Sequence, residues 1–160
     1  MTTEEPELAL RPAGDDDYEL FRRVYASTRA EELAPVPWSD AQKHEFLAQQ
    51  FAAQGAHYAE YYADASFGVI LVDGEPAGRL IVARRDVAIL IVDIALLPEY
   101  RSRGVGTRLL RSLIEESEGS GRKLTIHVEM NNPARTLYDR LGFRPAGEHG
   151  VYVLMERPPT

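Results

Sequence analysis

The 160-residue chain has no cysteine. That excludes a disulfide framework, a thiolate metal site and a cysteine nucleophile. It also lacks any apolar run of about 18 residues, so no segment reads as a membrane-spanning helix. The first residues, Thr2-Thr3-Glu4-Glu5, are acidic and unlike the basic start of a secretory leader, which makes the cytoplasm the default address. Positive charge is in deficit: 18 Lys and Arg face 25 Asp and Glu, a net charge of −7. Such a balance argues against nucleic-acid or anionic-membrane partners. His44, His57, His127 and His149 are scattered without ligand spacing, so no metal is expected. Nor does any Ser/His/Asp order compel a hydrolase. Among phosphate motifs, the P-loop run G-x-x-x-x-G-K-[ST] is missing.

What remains is ordinary for a folded soluble protein, with 44% apolar and 27% charged residues. The length suits one domain over residues 1–160. The most informative stretch is Ile89–Ser117. It reads as an apolar strand (Ile89–Leu97), a turn (Pro98-Glu99-Tyr100), the run Arg101-Ser102-Arg103-Gly104-Val105-Gly106, and then an amphipathic helix. Two glycines one residue apart permit a tight turn. The helix start behind them offers unpaired N–H groups and the positive end of a dipole, a suitable seat for phosphate. Arg101, Arg103 and Arg108 make this a local basic exception in an acidic chain. A dinucleotide fingerprint is disfavoured because Leu109 stands at its third glycine, and because an antiparallel meander precedes the turn.

Along the chain, Leu8–Arg11 is a first strand. Asp16 and Glu19 suggest a capping box opening helix 1, with Leu20, Phe21, Val24, Tyr25 and Thr28 at helical spacing to about Leu33. Ser39 and Gln42 form a second capping-box pattern, opening a helix with Phe46, Leu47 and Phe51 inside; Gly55 should interrupt it. Phe67–Val72 and Pro76–Arg84 flank Asp73-Gly74-Glu75, a hairpin signal. Val87–Leu97 follows as the third strand of the meander. The next helix carries Val105, Leu109, Leu110, Leu113 and Ile114 on one stripe and ends at Gly119-Ser120-Gly121. Lys123–Glu129 is a strand, and Asn132 and Pro133 start a short helix ending at Gly142. Phe143–His149 and Val151–Glu156 close the chain as a strand pair.

Two motifs lie in order on these elements: Arg101-x-x-Gly104-x-Gly106, and Asn131-x-x-Ala134-x-x-Leu137-Tyr138-x-x-x-Gly142-Phe143. With them, and with the order β-α-α-β-β-β-α-β-α-β-β, residues 7–157 resemble the GNAT superfamily of acyl-CoA-dependent N-acetyltransferases. The resemblance implies an α/β (α+β mixed-sheet) fold: a predominantly antiparallel seven-stranded sheet with about four helices and strands 4 and 5 splayed. It implies acetyl-CoA as co-substrate, without a metal. The pantetheine arm would pair with the backbone of Ile94, Ala95 and Leu96. Amides of Arg103, Gly104, Val105, Gly106 and Thr107 would hold the pyrophosphate, with Arg101, Asn131 and Ala134 completing the cofactor set. Tyr138 matches the position that protonates the leaving thiolate. The expected activity is transfer of an acetyl group to a primary amine of a small molecule or protein. The alternative is a non-catalytic acyl-CoA sensor with the same fold, and a homodimer is an open partner state.

Two carboxylates are candidate bases for the acceptor amine. Glu129 ends strand 5 on its polar face. Asp93 interrupts an apolar strand covered on both faces, where an unpaired carboxylate would be costly. Its competing role is an ion pair with Arg79. A three-residue turn at 85–87 would set Arg79 opposite Asp93, whereas a two-residue turn at 85–86 would set Gly78 there. On the acceptor side, Trp38, Phe46, Tyr58, His127 and His149 are candidates, from the helix 1–helix 2 region, strand 5 and the last hairpin.

Overall fold

A computed structural model describes residues 5–160. Most of the acidic start read above, residues 1–4, therefore lies outside the described residues. The chain runs β1 (Leu8–Pro12), α1 (Tyr18–Leu33), α2 (Asp40–Tyr61), β2 (Ser66–Val72), β3 (Glu75–Arg84), β4 (Ala88–Leu96), α3 (Val105–Ser120), β5 (Lys123–Glu129), α4 (Arg135–Arg140), β6 (Arg144–His149) and β7 (Tyr152–Arg157). Seven strands form one sheet in the order β1-β2-β3-β4-β5-β7-β6. Every neighbouring pair is antiparallel except β4 with β5.

The hairpin between β2 and β3 forms as the Asp73-Gly74 pair predicts, with φ of 51° and 80° at the two turn residues. On one sheet face α3 buries Val105, Leu109, Leu110, Leu113 and Ile114 against Ile89, Ile91, Leu124, Ile126 and Val128. Each such side chain contributes about 1.5–3 kcal/mol over its exposed state. On the other face α1 lies over β3 and β4, and α2 packs on α1 through Tyr25 and Phe51, whose rings are 5.7 Å apart.

Several local expectations need correction. The capping box at Asp16 and Glu19 does not form. A single 3-10 turn (Asp15–Asp17) precedes α1, Glu19 pairs with Arg22, and Asp17 instead accepts from Gly14 N at 2.9 Å and from both Arg11 terminal nitrogens at 2.7 and 2.8 Å. The guanidinium fork wins because it offers two charge-assisted bonds to one carboxylate. The second box does form, Gln42 N donating to Ser39 Oγ at 3.1 Å and Ser39 N to Gln42 Oε1 at 2.9 Å. Gly55 does not interrupt α2, which runs unbroken to Tyr61. A lone helical glycine costs only about 1 kcal/mol. Phe46 is exposed rather than internal. The short helix α4 begins at Arg135, not Pro133, although the Asn132 side chain does accept from Ala134 N at 2.9 Å.

The turn before β4 follows neither expected register. Arg84 pairs with Ile89, and a bulge between Ile81/Val82 sets Ile81, not Arg79 or Gly78, opposite Asp93. The bulge falls at Val92. It switches the strand's parity: Ile89 and Ile91 belong to the α3-side core, whereas beyond the bulge Ile94 and Leu96 do. Asp93 is thereby turned to the α1 side, the same side as Ile81.

Candidate active site

The turn after β4 is open and its main chain is bare. Gly104 caps α3 at φ 79° with no side-chain capping bond, and Ser102 also has a positive φ of 60°. Only glycine reaches the former conformation without strain. Among the described residues, no N–H group from Ser102 to Thr107 donates to a protein acceptor, and Arg101 to Gly104 are exposed. Val105 turns its side chain into the core while its amide stays with the others. The three arginines divide. Arg101 reaches back, Nε donating to the Leu96 carbonyl at 3.0 Å and Nη2 to Ser27 Oγ of α1 at 2.9 Å. Arg108 donates to the Pro6 carbonyl at 2.6 Å. Arg103 lies over the Tyr100 ring at 6.0 Å and forms no ion pair among the described residues.

Beside the turn, β4 and β5 part. Their ladder runs only from Ala88↔Lys123 to Ile91↔Ile126, yet β4 continues to Leu96 and β5 to Glu129. The gap is a cleft of about 850 Å³. Ile94, Ala95, Leu96, Arg101, Gly106, Asn131 and Ala134 line it, as do Asp93, His127, Glu129, Tyr138 and Tyr58. Arg103, Gly104, Val105 and Thr107 belong to the adjoining turn rather than to the cleft wall.

Tyr138 points from α4 into this cleft. Its ring is buried and meets Phe143 edge-on at 5.6 Å. Among the described residues the hydroxyl makes no hydrogen bond and no buried side-chain polar atom is left both sealed and unpaired, so this oxygen is open to the cleft. Burial, and then the Asp93 charge, push its pKa up to about 12, so the phenol stays protonated.

Both candidate carboxylates are held by arginines. Arg79 is 4% exposed, donates from Nε to Asp93 at 2.5 Å and from Nη2 to Gln54 at 2.5 Å, and lies within 5.8 Å of the Phe21, Phe51 and Tyr58 rings. The expected pair thus forms diagonally across the ladder rather than by direct opposition. Tyr58 is raised, by burial first and by Asp93 second. Glu129 accepts from Arg29 Nη1 at 3.0 Å; the same nitrogen bonds Glu32 at 3.1 Å. His127 faces His149 with ring centroids 6.0 Å apart.

A second, smaller hollow of about 390 Å³ adjoins the cleft, between α1, α2 and the β6–β7 turn. Phe46 lines it with Tyr25, Arg29, Glu32, Glu129 and Tyr152. Trp38 and His149 line neither space; Trp38 packs on Phe46, centroids 5.4 Å apart. Tyr25, Arg29, Glu32 and Tyr152 did not emerge from the sequence. Arg29 carried a usable signal, since it extends the buried stripe of α1 one turn beyond Tyr25. No group of three or more His, Asp or Glu able to hold a metal occurs among the described residues, and no helix there is long and apolar enough to cross a membrane.

Residues 21–143 match the model of the acetyltransferase (GNAT) family. A Bacillus subtilis (strain 168) protein assigned as a ribosomal protein bS18-alanine N-acetyltransferase is 34% identical over 116 residues, 69% of this chain and 67% of that one. A mycothiol acetyltransferase of Corynebacterium glutamicum is 34% identical over 101 residues, 61% of this chain; the chain spans only 34% of that relative's length. In fold, the PaiA N-acetyltransferase of Thermoplasma acidophilum, crystallised with coenzyme A, superposes with a TM-score of 0.71 at 16% identity, over 95% of this chain and 99% of that one.

Proposed function

The chain belongs to the acetyltransferase (GNAT) family and is by that membership an N-acetyltransferase; from this premise we propose that it moves an acetyl group from acetyl-CoA to a primary amine of a small molecule or protein, in the cytoplasm, with Tyr138 as proton donor to the departing sulfur. One observation carries the reading. The stretch of β4 unpaired to β5 leads through one 3-10 turn, Pro98–Tyr100, to the bare amides of Ser102–Thr107. An extended pantetheine arm can add to β4 as a strand, while those amides and the α3 dipole meet the diphosphate. Arg103 is the arginine free to add charge there.

The thioester supplies an activated acyl carbon and a thiolate leaving group. The protein orients it along Ile94–Leu96 and presents the Tyr138 hydroxyl in the same cleft. A thiolate, whose conjugate thiol has a pKa near 8.5, is a weaker base than the Tyr138 phenolate, whose phenol is raised to about 12. The gap narrows inside the cleft, because burial and the Asp93 charge, which raise Tyr138, also disfavour a sulfur anion placed beside it. Proton transfer to sulfur then proceeds without a large uphill step.

The test is thiol release from acetyl-CoA with a panel of amines, followed by product mass. Tyr138→Phe should lower kcat about 10²-fold or more while coenzyme A affinity stays within about twofold. Unchanged kcat would remove Tyr138 from the mechanism. Coenzyme A binding without thiol release on any amine would instead identify a sensor with the enzyme's fold.

A further inference from the structure

We propose that His127 is the general base that takes the proton from the acceptor ammonium. The acetyltransferase reading above is its premise, but nothing in that reading selects this residue. The side chains lining the cleft that can exchange a proton are the carboxylates Glu31, Glu32, Asp93 and Glu129, the tyrosines Tyr25, Tyr58, Tyr138 and Tyr152, and His127. Asp93 is bonded to the buried Arg79, and Glu129 to Arg29. Each of these carboxylates already has an oxygen engaged by a guanidinium. Tyr58 and Tyr138 are driven toward their neutral forms and have no proton-accepting anion to offer. Glu32 shares Arg29 with Glu129, and Glu31 is an exposed residue of α1; among the described residues that line the cleft, His127 is the one histidine.

Its place in the fold is also the right one. Ile126 is the last β5 residue paired to β4, so His127 stands at the apex where the two strands separate. That apex is where a thioester running along β4 comes nearest to β5. His127 lines the cleft and is exposed to solvent. A proton taken from the amine therefore has an exit.

The groups facing it keep the imidazole neutral. On its own strand is Glu129, neutralised by Arg29 of α1; from β4 comes Asp93, neutralised by Arg79 of β3. Leu154 of β7 lies directly opposite. The nearest ionisable ring is His149 of β6, across the β7 strand. Partial burial of the ring, and then repulsion from His149, lower the pKa of His127. Both shifts favour the neutral imidazole, the form that accepts a proton.

The proton count closes. His127 takes one proton from the ammonium and passes it to water. The free amine attacks the acyl carbon, forming C–N. As C–S breaks, the nitrogen gives up its second proton to the Tyr138 oxygen while Tyr138 gives its own to sulfur. Amide, thiol and one released proton result.

The experiment follows kcat/KM against pH, for an amine that the panel shows to be acetylated, in wild type, His127→Gln, His149→Gln and Glu129→Gln. His127→Gln should lose about 10²-fold in kcat and lose the acid limb of the profile, with coenzyme A affinity and melting temperature unchanged. His149→Gln should move that limb to higher pH, because the repelling charge is gone. NMR titration of the His127 imidazole should give the pKa at which the limb falls. Retention of rate and limb by His127→Gln overturns the proposal, as does loss of the limb in Glu129→Gln alone. Failure of the wild type to acetylate any amine overturns the acetyltransferase reading itself, a different outcome.

Discussion

Gly78 is the position where a single methyl group should damage both fold and cofactor site. It sits on β3 opposite Leu96, where the two central strands approach closely. A Cβ built there would lie 2.1 Å from the Ala95 carbonyl oxygen and 3.0 Å from Leu96 Cα. An ordinary carbon–oxygen contact is about 3.3 Å, so the shortfall is about 1.2 Å. Both obstructing atoms are main chain of a central strand, with helices above and below, so no side-chain rotation relieves the clash. β3 and β4 must separate, and Gly78→Ala should cost about 3 kcal/mol, the upper end of overpacking effects. For a chain of this size that is a fall in melting temperature of roughly 6–12 °C. Ala95 also belongs to the strand proposed to bind pantetheine, so acetyl-CoA affinity should fall by about tenfold, or 1.4 kcal/mol. The control is the same change in the middle of α2. A Cβ at Gly55 meets nothing within 4 Å, and Gly55→Ala should gain about 1 kcal/mol. Calorimetric melting and coenzyme A titration of the two variants read both signs. A Gly78→Ala protein that melts within about 2 °C of wild type and binds coenzyme A equally well would refute the reasoning.

Two further outcomes follow from the charged pairs. Arg79→Leu leaves Asp93 facing aromatic rings without its partner, and should destabilise by about 3 kcal/mol; adding Asp93→Asn should recover much of that loss, and denaturant midpoints of the four proteins in the cycle test it. Asp17 has its pKa lowered to about 2, chiefly by the Arg11 hydrogen bonds and then by the Gly14 amide. Its contribution is therefore complete above its unfolded value near 3.9 and is lost as pH falls through about 2. Asp17→Asn should be less stable at pH 7 but show a flatter loss between about pH 4 and 2, measured as urea midpoints; parallel curves for the two proteins would reject the assignment.

The glycine turn before α3 was legible because its determinants are local. Gly104 must take a positive φ, and the helix behind it is announced by a five-residue apolar stripe. Likewise Asp73-Gly74 could be little other than a hairpin turn. The acceptor side was not legible, because it depends on which residues of α1 meet β5 across about a hundred positions of sequence. Arg29 and Glu129 carry no mark of their pairing in either segment. Gly55 shows the reverse error. A residue that weakens a helix by about 1 kcal/mol is outvoted by the rest of a 22-residue element with a well-formed cap. Trp38 and His149 occupy the helix 1–helix 2 region and the last hairpin, where the resemblance places an acceptor pocket, but line neither of the two spaces.

Asp93 is the residue at which sequence and site meet. By strict alternation from Ile89 and Ile91 it would point into the α3-side core, where a carboxylate has no partner. One additional residue in the ladder, Val92, removes the conflict by rotating everything after it to the opposite face. The same irregularity marks the place where the ladder with β5 ends, at Ile91 and Ile126. A bulge bends its strand and sharpens the local twist, so the strand that continues past Val92 leaves the direction of its parallel neighbour. The carboxylate that looks misplaced in the sequence and the gap in the sheet therefore have one cause. The buried Arg79, fixed by Gln54 and three rings, holds Asp93 on its new face and so holds the strand in its bent course. On this account the Arg79–Asp93 pair acts as a brace for the open cleft.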